Sequence, residues 1–156
     1  MIRTLVITLA AAVFAVLPAR AETVRNGNEL ALAYSRADAA GQAALRREAE
    51  GRLFTFRFLK VVRIEPPAHS NAPPVFVTLE PSSDLTVILH PQGAVSLQVA
   101  STVVTNDGLA VNGRLARIDP LSGAFTLRPA ALRHKDRTAP KGEKELLPEI
   151  DPRARK

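Results

Sequence analysis

Arg52–Glu65, RLFTFRFLKVVRIE, is the stretch on which the rest of the chain is read. It is dense in Phe, Val and Ile, residue types that suit a pleated and half-buried surface. Successive side chains of a strand point to opposite faces. Arg52, Phe54, Phe56 and Phe58 therefore share one face, with Thr55, Arg57 and Arg63 on the other. The alternation drifts, because Lys60 falls on the Phe face before Val62 and Ile64 resume it. A bulge near Leu59–Lys60 accounts for the drift, and bulges bend long strands in the way small barrels turn corners.

Downstream, Pro66–Pro74 (PPAHSNAPP) is a loop, rich in residues that favour turns. Val75–Leu79 and Leu85–Leu89 read as the next two strands. Glu80-Pro81-Ser82-Ser83 ends the first, and a His90-Pro91-Gln92-Gly93 turn follows the second. Val95–Val104 reads as a further extended stretch, with Asp107-Gly108 as a hairpin signal before the next strand. Leu109–Ile118 and Ala124–Leu132 then pair around Asp119–Gly123. Short strands at this spacing indicate a sandwich or a small barrel.

Upstream, Asn28–Glu50 is rich in Ala, Leu, Glu, Arg and Gln, all good helix formers. Asn28 is the expected N-cap, Gly41 marks a kink or a break, and Gly51 suits the left-handed residue that closes a helix. Before it, residues 1–21 have the three parts of a secretory signal peptide. These are a basic start at Arg3, an uncharged apolar run over Leu5–Leu17, and small residues at Ala19 and Ala21. A membrane-spanning helix needs about 20 apolar residues, more than this run supplies. Cleavage between Ala21 and Glu22 is expected, and with it a periplasmic or secreted protein. Removing Arg3 and Arg20 lowers the formal charge from +6 to +4. That balance favours anionic partners without naming one. The absence of cysteine excludes disulfides, thiolate metal sites and an N-terminal lipid-modified cysteine. Residues 135–156 are charged and proline-bearing, with almost no apolar residues except Leu146, Leu147 and Ile150, and are expected to be disordered.

The order of these elements, one helical segment and then five or six antiparallel strands, suggests an OB-fold. Several stretches resemble the exported bacterial OB-fold proteins of the tRNA-anticodon-like type. They are Glu29-Leu30 with Ala33-Tyr34, Asp38-Ala39, Glu48-Ala49 running into Gly51-Arg52, Val62–Glu65, and Asp107–Gly113. The likeness covers roughly residues 28–134. Phe58 stands near the place where that family usually has a strand glycine, and no helix is evident between the third and fourth strands. The resemblance implies an exported barrel of unassigned role.

Little in the chain reads as catalytic. His69, His90 and His134 have no metal-ligand spacing. Ser82, Ser83, Asp84 and His90 hold the residue types of a hydrolytic triad, but no nucleophile elbow positions a serine. No catalytic residue, metal or cofactor is expected. The suggestive cluster is Arg52, Arg57, Lys60 and Arg63 along the Phe-rich strand. With exposed phenylalanines it would hold single-stranded nucleic acid by stacking. A chain without Trp needs those phenylalanines in its core, which leaves the cations to touch an anionic partner.

The sequence thus predicts a mainly β protein: a signal peptide over 1–21, a helix plus a small antiparallel OB-like barrel over 22–134, and a charged tail over 135–156. Its expected role is a non-enzymatic envelope module that binds another protein or an anionic ligand. Binding of nucleic acid or another polyanion through a basic barrel face is the alternative.

Overall fold

A computed structural model describes residues 22–135. The expectations for residues 1–21, and for the tail beyond Lys135, lie outside the described residues. A two-residue strand β1 (Arg25–Asn26) leads into helices α1 (Gly27–Arg36) and α2 (Ala39–Ala49). Strands β2 (Leu53–Glu65), β3 (Val75–Glu80) and β4 (Leu85–Pro91) follow. Helix α3 (Ala94–Ala100) then precedes β5 (Gly108–Ile118) and β6 (Phe125–His134). The sheet order is β1-β2-β3-β4-β6-β5, and a further β2–β5 pairing closes the last five into an OB-like barrel.

β2 makes the closure possible because it serves two neighbours in turn. Its residues from Leu53 to Lys60 pair with β5, and those from Lys60 to Glu65 pair with β3. Lys60 is the hand-over point, facing Gly108 on one side and Leu79 on the other. The register shifts twice, between Phe56 and Leu59 against β5 and between Val61 and Arg63 against β3. The expected bulge is therefore present but sits one or two residues earlier than the pattern suggested, and a second follows it. Phe54 and Phe56 point into the barrel, and after the first shift Leu59 and Val61 replace Phe58 and Lys60 there. Val62, expected inside, is exposed. Residue types alone cannot say which of two adjacent apolar side chains absorbs a bulge, because either choice restores alternation.

The barrel interior is filled from every strand, including Phe76 of β3, Leu89 of β4, Leu109 and Leu115 of β5, and Phe125 and Leu127 of β6. Thr78 and Glu80 of β3 are buried polar residues on the same face as Phe76, and the Thr78 hydroxyl donates to the Val87 carbonyl at 2.7 Å. Parallel pairing of β4 with β6 means the chain cannot turn directly from one to the other. It crosses by way of α3 and β5 instead.

α1 and α2 cover one end of the barrel. The expected single cap at Asn28 is corrected: Asn26 accepts from the backbone N–H groups of Asn28 and Glu29, so it caps α1. The helix break falls at Ala37–Asp38 rather than at Gly41, with Asp38 capping α2 through the Gly41 N–H at 2.8 Å. A residue that can cap outcompetes helix continuation at that point, whereas one glycine inside a helix costs only about 1 kcal/mol. Gly51, at φ +80°, closes the segment as expected.

Asn28 has a different task. Its amide donates to Glu80 at 2.8 Å and its carbonyl oxygen accepts the Arg57 N–H at 2.9 Å. Together with β1, which pairs at Phe54 and Thr55, it covers the edge of β2 that β3 does not reach. Tyr34 of α1 meets Phe125 edge-on, with ring centroids 5.5 Å apart.

The stretch Val95–Val104, expected to be extended, is helical over its first part. The Asp107-Gly108 turn accordingly joins no hairpin. Asn106 and Asp107 instead exchange backbone hydrogen bonds with Val61 at 2.8 and 2.9 Å. The helical signal was present but faint: Ser96, Ala100 and Val103, which are buried, recur at i, i+4 and i+7.

The tightest approach is at Gly27, where a Cβ would lie 2.4 Å from the Phe56 ring. That ring is fully buried and has no free direction to move. Gly27→Ala is expected to lower the unfolding free energy by about 1–3 kcal/mol in urea denaturation. An unchanged midpoint would show that α1 is not seated on the barrel as described.

Candidate binding groove

The four cations singled out from the sequence do not converge. Arg52 and Arg63 are eleven residues apart, up to about 36 Å on an extended chain. Arg63 is engaged by Glu65 at 2.6 Å. Lys60 is exposed at the hand-over between β5 and β3. Phe54 and Phe56 are 2% and 0% exposed, which leaves the half-buried Phe58 as the one ring of the three near these cations, and a single ring makes no stacking platform. Of the four, Arg57 is the one that enters a concave site.

That site is a groove of about 530 Å³ between α3 and the outer surface of β2, β5 and β6. Alternation places Ala110 of β5 and Ala131 of β6 outward, and their small side chains make a low floor. Val95 and Val99 of α3 form one wall, and Val95 is 73% exposed. α3 is pinned there by Ser96, a buried residue whose hydroxyl accepts the Leu132 N–H at 3.2 Å. Across the groove, Thr55 donates to Asn112 at 2.7 Å. Arg57, Arg133 and Lys135 bring three cations to the lining, with no carboxylate among the lining residues.

Elsewhere on the surface some basic groups are matched, whereas Arg36, Arg46, Arg47, Arg52 and Lys60 also form no ion pair among the described residues. Arg25 pairs with Glu48, Arg114 with Glu22, and Arg117 with Asp119. Among the described residues none of the three groove cations forms an ion pair. A second hollow of about 440 Å³ shares Asn112 and Ala131 with the groove and extends it toward Leu53 and the exposed Val24. The combined surface offers positive charge, small apolar floor and a few hydrogen-bonding groups.

Lys135 was expected to open the charged tail, but its N–H donates to the Gly108 carbonyl at 3.0 Å, and Arg133 belongs to β6. The alternation of Leu132 inward with Ala131 and Arg133 outward was the available signal.

The serine–histidine constellation is not assembled. Ser83 precedes β4, and His90 lies near its other end, five residues beyond Leu85 or about 17 Å along a strand. His90, expected to begin a turn, is part of β4, and its Nδ1 lies 3.0 Å from Nη2 of Arg128. Burial and the adjacent guanidinium hold its pKa below the usual imidazole range, so the neutral ring accepts from Arg128.

Ser82 and Ser83 turn to Glu80 instead. This carboxylate is 2% exposed and accepts from both serine hydroxyls, from the Ser83 N–H at 2.8 Å and from Asn28. Burial pushes its pKa up, but the donors outweigh burial and hold it below the ordinary carboxylate value. A saturated carboxylate of this kind has no free lone pair for proton transfer and ties α1 to the β3–β4 turn. Among the described residues no cluster of His, Asp and Glu has the make-up of a metal site, and no helix is long and apolar enough to cross a membrane.

No protein-family model matches the chain, and no curated protein matches it either.

A carboxylate with a depressed pKa stabilises the fold fully above its unfolded value of about 4.5, and that contribution is lost as pH falls through the folded pKa. Glu80→Gln is expected to cost about 1.5–3 kcal/mol at pH 7, the range for hydrogen bonds to a charged group. The gap between wild type and variant should narrow as urea unfolding is repeated from pH 5 toward pH 3. Parallel stability curves across that window would rule out an ionised Glu80 as the link.

Proposed function

We propose that this chain is an exported, non-enzymatic binding module that takes an acidic, partly apolar segment of a protein partner into the groove beside α3. The observation that supports this reading is the set of three cations, Arg57, Arg133 and Lys135, that form no ion pair among the described residues, around a floor of alanines and a wall of exposed valine. Cations at a rim attract an anionic partner and fix its register, while desolvated apolar surface supplies most of the affinity. A ligand that is only charged leaves the valine wall uncovered, and one that is only apolar leaves the cations unmatched. The closed OB-like barrel agrees with a binding role, since OB-like barrels commonly present ligand surfaces.

The polyanion alternative keeps the same cations but lacks exposed stacking rings among the described residues, because Phe54, Phe56 and Tyr34 are buried and Phe58 is half-buried. Export rests on the signal-like residues 1–21 and places the module in the periplasm or outside the cell. Glu22, the first residue expected after cleavage, is held by Arg114 through contacts of 2.7 and 3.0 Å, so the mature chain would begin at an anchored residue.

Fluorescence anisotropy on the full chain tests the groove with two probes, a labelled peptide alternating Glu and Leu and a single-stranded oligothymidine. The peptide should bind more tightly and remain bound as salt is raised. Arg57→Glu with Arg133→Glu should weaken it at least about tenfold, roughly 1.4 kcal/mol, and Arg36→Glu, on α1 away from the groove, should leave it unchanged. Tighter binding of the oligonucleotide with a steep fall in salt would move the polyanion reading ahead. A double variant that binds the peptide normally would rule out the groove. For export, the protein recovered from outside the cytoplasm should begin at Glu22 by intact mass, and retention of residues 1–21 would remove that part of the proposal.

A further inference from the structure

The groove lies where the described chain ends. Lys135 lines it, and the Lys135 N–H bond to Gly108 fixes the exit point at its rim. The twenty-one residues that follow contain one stretch of distinctive chemistry, Glu143–Asp151, EKELLPEID. It carries four carboxylates against one lysine, together with Leu146, Leu147 and Ile150, the large aliphatic residues of that tail. Before it stands Ala139-Pro140-Lys141-Gly142, with proline and glycine at the second and fourth positions favoured in reverse turns. The groove offers the complement on both counts, three cations that form no ion pair among the described residues and an exposed valine at Val95.

We infer that Glu143–Asp151 folds back and occupies this groove, with its carboxylates beside Arg57, Arg133 and Lys135 and its leucines and isoleucine against Val95 and Val99. The inference rests on the groove being a binding site for acidic, partly apolar peptide, and it names this chain's own tail as the first occupant. The reach is ample. Twelve residues separate Lys135 from Leu147, up to about 40 Å of extended chain, and the groove starts at the exit point itself. A covalently tethered segment has an effective concentration in the millimolar range, so an affinity too weak to hold a free peptide suffices to keep a tethered one in place. An external partner must then displace the tail, which makes the tail a built-in competitor and sets a threshold on the partner's affinity.

The chain has no cysteine, so two can be introduced without background pairing. A disulfide forms when the two Cα atoms come within about 7 Å. Val95→Cys with Leu147→Cys, in the full chain under mild oxidation, should give the intrachain disulfide at least about ten times faster than Leu121→Cys with Leu147→Cys. Leu121 is 97% exposed in the β5–β6 turn, whose Pro120 lies beside α2 rather than α3. Adding Arg57→Glu and Arg133→Glu should abolish the difference. Equal rates at the two positions would overturn the inference. A disulfide-linked dimer formed in preference to the intrachain bond would overturn it too, because it would seat the tail of a second copy in the groove. This readout needs no external ligand. Tail docking can therefore fail while the Glu/Leu peptide still binds, and the peptide can fail to bind while the cross-link forms.

Discussion

The structure depends on one strand being shared between two neighbours. A five-strand sheet loses its free edges only when the strand at one end also pairs with the strand at the other end. β2 does this, pairing with β5 up to Lys60 and with β3 beyond it. Its two register shifts supply the bends that let a thirteen-residue strand turn from one part of the wall into another. The half-edges left over must be satisfied by something else, because buried backbone N–H groups are rarely left unpaired. β1 and the Asn28 side chain supply those partners, which is why the helical segment sits where it does.

From that arrangement the groove follows almost as a by-product. Parallel pairing of β4 with β6 obliges the chain to cross before β5 can form, and α3 is the crossing. Ser96 bonds to β6 at Leu132 and Ala100 is buried against the barrel, but a seven-residue helix seated there cannot cover the outer sheet surface as well. The uncovered strip runs between Val95 on the helix and Arg57 on β2, over alanines too small to fill it. The other end of the barrel is sealed in the opposite manner, with helices laid directly on it and a buried carboxylate at Glu80 saturated by donors from three directions. One end is built for cohesion and the side near α3 is left open.

The candidate site was legible in its chemistry and not in its position. The basic residues along the Phe-bearing strand stand out in the sequence, and Arg57 was among those chosen, but Arg52, Lys60 and Arg63 lie on parts of the surface that do not converge with it. Arg133 and Lys135 join Arg57 only because β6 lies beside β5 and β5 lies beside β2, adjacencies separated by more than seventy residues of chain between Arg57 and Arg133. The helix that forms the wall was hidden by its own composition, since Val95, Val99 and Val103 suit strands by local preference. Burial of Ser96, Ala100 and Val103 against the barrel overrides that preference.

By itself, the sequence determined the class of the fold, the Phe-bearing strand at its centre, the β3–β4 and β5–β6 turns, the closing glycine at Gly51 and the absence of thiol chemistry. Those features are local: alternation, turn chemistry and residue type act over a few neighbours and need no knowledge of the rest of the chain. Tertiary structure decided which residues absorb the bulges, whether Val95–Val104 is strand or helix, which asparagine caps and which one bridges, and where the cations meet. Each of those choices is nearly balanced locally. The balance is tipped by burial against elements far away in sequence, and that energy exists only once the barrel has closed.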